Sequence, residues 1–141
     1  MAFTDSDPRA AGADVELRLP ADGAYVSVLR TTTAGLAARL DFTIDDIEDL
    51  RIAVGEACAL VLPEADPGAT LECHFRVLPG ELTITVAVSS SAPAAADPDS
   101  FAWQVLTTLA SSAAVDATAG RFAVTMTMRS SLHLGQPDSD A

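Results

Sequence analysis

The chain has no lysine and no asparagine. Its positive charge rests on 8 basic residues, all arginine, against 20 acidic side chains, giving a net charge of −12. Phosphate backbones and anionic lipid surfaces are bound through clusters of Lys and Arg. The charge balance therefore argues against direct nucleic-acid or membrane binding and permits a basic protein partner. No apolar run reaches the roughly 18 residues of a transmembrane helix. The opening MAFTDSDPRA has no basic stretch leading into an apolar one, so no secretory signal is expected. Without Asn or Lys, no asparagine can hold a metal ion and no lysine can clamp a phosphate. Both residues have A-rich codons, and their absence beside 27 alanines fits a GC-rich genome. Cysteine is scarce. Cys58 and Cys73 each sit inside an apolar pattern, which predicts buried, reduced thiols in a cytoplasmic protein. With only two scattered histidines, His74 and His133, they lack zinc-ligand spacing. Ser89–Ser91 and Ser111–Ser112 have no His/Asp arrangement that would make a hydrolase triad. Glycine is missing altogether between Gly80 and Gly120.

What is present reads as one domain. The chain has 141 residues, 49% of them hydrophobic, enough to build a core. Residues 1–13 are polar and aperiodic and read as a mobile tail. Val15, Leu17 and Leu19 alternate with Glu16 and Arg18, a half-buried strand ended by Pro20. A helix is predicted from about Asp22 to Leu40, with Asp22 as cap and Tyr25, Val28, Leu29, Thr32, Leu36 and Leu40 as its apolar stripe. Thr43 and Asp46 form a capping-box pattern at the head of a second helix. Acids at 45, 46, 48 and 49 crowd its first turns, where the helix dipole favours them. Ile47, Leu50, Val54, Ala57, Cys58 and Val61 make one face of that helix. Glu56 falls nearly opposite, flanked by Ile52 and Leu60, a pattern that predicts cover on both sides. Pro63 stops the helix.

The period then changes to two. Leu71, Cys73, Phe75 and Val77, a Pro79–Gly80 turn, and Leu82, Ile84, Val86 and Val88 predict a β-hairpin. Ser100 can cap a short helix from Phe101 to about Ala110, in which Trp103 is either core or partner-facing. A short strand around 113–117 and a last strand through Phe122, Val124, Met126 and Met128 complete the order. Residues 131–141 read as a second mobile tail. The prediction is a two-layer α/β sandwich over residues 14–130, with a mixed, mostly antiparallel sheet and helices on one face.

The run IDDIEDLRIAVGEACALVL, preceded by YVSVLRTTTAGLAARLDFT, resembles the bacterial anti-sigma factors of the serine-kinase type. The family pattern there is roughly E-D-L-K-I-A-V-S-E-A-C-T-N-A-V. SFAWQVLTTLASSAAV is similar to the last helix of the family's actinobacterial branch. The resemblance implies the histidine-kinase and Hsp90-like ATPase fold. It also implies a dimer, joined through its first strand and helix, that sequesters a sigma factor and is countered by an anti-anti-sigma protein of the STAS fold. Arg30 falls at a sigma-contacting arginine, and Asp22 and Tyr25 lie on the preceding turns as further candidate contacts.

The same resemblance implies a kinase site, and here the chain departs from the pattern. Glu56 matches the general base. The Mg²⁺-holding asparagine four residues on is Leu60, which has no lone pair to offer. The nucleotide-binding glycine turns fall in SSSAPAAADPDSFAWQ, which has no glycine, although close backbone approach to a phosphate needs glycine and free N–H groups. The reading is therefore an anti-sigma factor that works by protein binding with its kinase lost and no bound cofactor. The alternatives are an active ATP- and magnesium-dependent serine kinase using Glu56, and an interaction module unrelated to sigma factors.

Overall fold

A computed structural model describes residues 13–134 other than 96 and 119. Strand β1 (Ala13–Pro20) leads through a 3-10 turn into helix α1 (Val26–Arg39), and helix α2 (Ile44–Val61) follows at once. Strands β2 (Thr70–Leu78) and β3 (Glu81–Ser90) form the hairpin, with Gly80 at φ 70° as its Pro79–Gly80 turn requires. Helix α3 (Phe101–Leu109), strands β4 (Ser112–Thr118) and β5 (Gly120–Arg129), and a short helix α4 (Ser131–Leu134) complete the order.

The five strands lie in the order β1-β2-β3-β5-β4. Every neighbouring pair is antiparallel, so the expectation of a mixed sheet is corrected. The reason is topological. β3 and β4 run in the same direction, but β5 turns back from β4 and inserts between them, so no parallel pair forms among the described residues.

The pleat sorts the faces. Leu71, Cys73, Phe75, Leu82, Ile84, Val86, Val88, Phe122, Val124, Met126 and Met128 all point inward and are buried. They join Leu50, Ala53, Val54, Ala57, Cys58 and Val61 of α2 and Leu106 of α3 in one continuous core. Burying a side chain such as Leu50 or Phe75 contributes about 1.5–3 kcal/mol. Helices α1 and α3 both pack on α2, and α2 packs on β3 and β5. The opposite sheet face is polar. On it Asp14 faces Arg76, Glu16 faces His74 and Arg18 faces Glu72, each pair of opposite or complementary charge. Hydroxyl pairs Thr83–Thr127 at 2.9 Å and Thr85–Thr125 at 3.0 Å continue it.

Three details differ from the periodicity. The buried stripe of α1 is Leu29, Thr33 and Ala37, whereas Tyr25 and Val28 are exposed. Thr33 can be buried because its hydroxyl donates to the Leu29 carbonyl at 2.8 Å. Ala87 and Ala123, opposite each other on the polar face, are nonetheless buried. Finally, Ser131–Leu134 is helical where a tail was expected, because Ser131 is hydrogen-bonded to Asp46. Residues 1–12 and 135–141, the rest of the two expected tails, lie outside the described residues, as does the side chain of His133.

Candidate functional site

Helix α2 is the spine of the site. The Thr43 hydroxyl accepts from the Asp46 N–H and the Asp46 carboxylate accepts from the Thr43 N–H, each at 3.1 Å, so the capping box closes with Asp in place of Glu. Three turns on, Glu56 is half-buried. No hydrogen bond or ion pair joins it to another described residue. Leu60, one turn beyond, is half-buried and packed against the hydrophobic core. Ile52, one turn before, is 48% exposed. The expected cover on both sides of α2 is therefore present at Leu60 and absent at Ile52.

Arg30 reaches α2 from α1. Its guanidinium lies over Gly55, with Nε and Cζ each 3.3 Å from where a Cβ on residue 55 would stand and Nη2 closer still. A side chain at 55 would meet that guanidinium, so glycine is what lets Arg30 settle there. Arg30, on α1, thus meets α2 at Gly55, the residue before Glu56. Asp22 and Tyr25 lie earlier, before α1. The Asp22 carboxylate accepts from the Ala24 N–H at 2.9 Å and caps the 3-10 turn rather than α1 itself. It also borders an open groove of about 630 Å³ between the end of β1 and the Gly68–Thr70 segment. Tyr25 is 39% exposed.

The buried thiols fit the expectation. Burial pushes the Cys58 thiol up to about 11, with the Arg30 charge pulling weakly the other way. Burial, then Cys58 and Glu72, push Cys73 up to about 12. Neither thiol is a nucleophile near neutral pH.

The glycine-free segment after β3 is tied down by acids that the sequence did not single out. The Asp66 carboxylate accepts from both the N–H and the hydroxyl of Ser91 at 2.9 Å. The Glu64 carboxylate accepts from the Ala94 N–H at 3.0 Å. Ser100 caps α3 by accepting from the Trp103 N–H at 3.2 Å, and Trp103 itself is packed in part against the core. In a phosphate-binding loop, backbone N–H groups are left for the anion. Here two of them are already spent on carboxylates. Leu60 supplies no ligand atom, and two N–H groups of this segment are engaged by the carboxylates of Asp66 and Glu64. Among the described residues no three His, Cys, Asp or Glu side chains gather as a metal site.

A protein with this spine has known counterparts. The chain is 42% identical over 73 residues to the serine-protein kinase RsbW of Halalkalibacterium halodurans, a match covering 51% of this chain and 45% of that protein. It is 38% identical over 76 residues to the serine-protein kinase RsbW of Bacillus subtilis, covering 52% and 48%. The chain is similar to the RsbW serine-protein kinases. The match spans about half the length of these relatives. A crystal structure of the RsbU and RsbW domains of Rv1364c from Mycobacterium tuberculosis superposes with a TM-score of 0.67 at 16% identity, covering 84% of this chain and 32% of that one. That likeness shows the fold, and it agrees with the α/β sandwich read from the sequence. No family model matches the chain.

The sequence picked out the helix that carries Glu56 and Leu60. It missed Asp66 and Glu64, which lie in the connection after α2 and meet their partners some 25 to 30 positions later. It also missed the seating of Arg30 on Gly55, a contact between helices that no periodicity encodes.

Proposed function

We propose that this chain is an anti-sigma factor of the actinobacterial type that sequesters a sigma factor by protein–protein contact in the cytoplasm, and that its kinase chemistry has been lost. The observation that carries the reading is the state of the would-be nucleotide site. The helix that resembles RsbW is kept, but an apolar Leu60 packs into the core where the pattern has asparagine, and Asp66 and Glu64 occupy the N–H groups of the segment beyond β3. Two carboxylates bonded to that segment oppose the negative charge of a triphosphate. The partner-binding half has no such defect. Arg30 is a guanidinium bonded to no carboxylate among the described residues, on a helix flanked by the exposed Tyr25 and Val28, and guanidinium–carboxylate pairs are strong and directional. Release of the sigma factor then depends on exchange with a STAS-fold antagonist, and the acting species is a homodimer. No helix among the described residues is long and apolar enough to cross a membrane.

The test is affinity capture from lysate of the source organism, with bound proteins identified by mass spectrometry, followed by calorimetric titration with Mg-ATP. A captured sigma factor and no heat of ATP binding at millimolar nucleotide are expected. Capture that yields no sigma factor overturns the anti-sigma reading.

One observation favours a second reading, an active serine kinase. Glu56 keeps its place on α2 and is held by no other described residue, as a general base awaiting a substrate hydroxyl would be. ATP-dependent phosphorylation of a STAS-fold partner, abolished in Glu56→Gln, would establish it.

A further inference from the structure

We infer that Gly55 is an affinity-determining residue that acts through Arg30: by leaving room for the guanidinium on α2, it holds Arg30 back from a partner's carboxylate. The inference rests on the reading that Arg30 faces the sigma factor. Three observations place the device. The Arg30 guanidinium lies over Gly55, in the space a side chain there would need. No hydrogen bond or ion pair joins that guanidinium to a described residue, although its neighbouring helix is rich in acids at 45, 46, 48 and 49. Arg30 itself is half-buried between the two helices' residues, on the side of α1 that meets α2 at Gly55.

A seated guanidinium lies against α2 at Gly55, and its N–H donors find no acceptor among the described residues. It is a cation in reserve, with donors that only an incoming carboxylate completes. Leaving the seat precedes binding, so the apparent affinity is the intrinsic one reduced by the fraction of molecules in which Arg30 is out. Any side chain at 55 closes the seat. The closure is cheap to accommodate, because what must move is the far end of a flexible arginine and no backbone atom. The variant is also a better helix former, since glycine is the weakest helix residue after proline. Serine, which the family pattern carries at this position, is the natural replacement.

The experiment compares the full chain with Gly55→Ser and Gly55→Ala by two readouts. The first is the rate at which an arginine-directed dicarbonyl modifies Arg30, followed by mass spectrometry with the exposed Arg121 as internal reference. A rise of about five-fold in both variants is expected for a seat that is occupied most of the time. An unchanged Arg30 rate overturns the seat, whatever any partner does. The second is affinity for the captured sigma factor, expected to tighten by about the same factor. Faster modification with unchanged sigma affinity overturns the claim that Gly55 governs binding. Failure of the wild-type chain to bind any sigma factor removes the proposed function instead, and the modification rates still decide whether Gly55 masks Arg30.

Discussion

Ser131 donates two hydrogen bonds to one oxygen of Asp46, from its N–H at 3.0 Å and from its hydroxyl at 2.9 Å, across 85 residues of sequence. The same carboxylate oxygen receives the Thr43 N–H, so one side chain caps α2 and fastens the end of the described chain to it. Removing it leaves three donors without their acceptor. Asp46→Ala is expected to destabilise the fold by about 2 kcal/mol and Ser131→Ala by about 1 kcal/mol. Urea unfolding checks this: the midpoint should fall with the slope unchanged. A Ser131→Ala midpoint equal to wild type would mean that the latch contributes nothing.

The latch also sets a pH dependence. Burial alone would raise the Asp46 pKa, but the hydrogen bonds from Ser131 and Thr43 outweigh it and hold the carboxyl below 3.8. A group depressed in the folded state stabilises it at pH values above its unfolded pKa. That contribution is lost as pH falls through the folded value. The wild type should therefore lose stability relative to Asp46→Asn as pH is lowered from neutral to below 3.8. Parallel curves for the two proteins would show that the carboxylate is not what the bonds favour.

The thiols give the opposite sign at the other end of the scale. Cys58 and Cys73 sit at about 11 and about 12, raised from 9.0 chiefly by burial. Stability is fully present below 9.0 and declines as pH climbs toward those values, because the unfolded thiols ionise first. At neutral pH a disulfide reagent should label neither cysteine in the native protein and both after denaturation. Rapid native labelling of either one would place it outside the core.

Much of this architecture is written in local patterns. Alternation through Leu71–Val77 and Phe122–Met128, the Thr43–Asp46 box and the Ser100 cap each depend on residues a few positions apart, and each is found as read. The placing of Leu60 one turn from Glu56 on α2 is legible for the same reason. The buried stripe of α1 runs through Thr33, one position on from the expected Thr32, and the Thr33 hydroxyl is satisfied on the Leu29 carbonyl. The insertion of β5 between β3 and β4, and the carboxylates of Glu64 and Asp66 on the segment beyond β3, depend on tertiary neighbours that only folding brings together.

Arg30 offers a direct test of the partner surface. Arg30→Asp removes the guanidinium and puts a like charge opposite the carboxylates proposed for the sigma factor. Loss of a charged hydrogen bond of about 1.5–3 kcal/mol corresponds to a roughly ten- to hundred-fold weaker complex. Surface plasmon resonance against the captured sigma factor measures it, with the melting temperature as a control for folding. Unaltered affinity would take Arg30 out of the interface.

Leu60→Asn asks whether one amide is all that separates this chain from a nucleotide-binding relative. The variant exchanges a half-buried leucine packed on the core for a polar side chain, at an expected stability cost of about 1–3 kcal/mol. It should still bind no Mg-ATP, because the N–H groups of Ser91 and Ala94 stay engaged by Asp66 and Glu64. Adding Asp66→Ala and Glu64→Ala frees those donors and removes two negative charges, yet leaves a segment with no glycine to let a phosphate approach. The single variant and the triple variant are therefore both expected to remain silent in a calorimetric titration. Nucleotide binding by Leu60→Asn alone would show that the carboxylates are no barrier, and binding only by the triple variant would show that they, and not the missing glycines, are what closes the site.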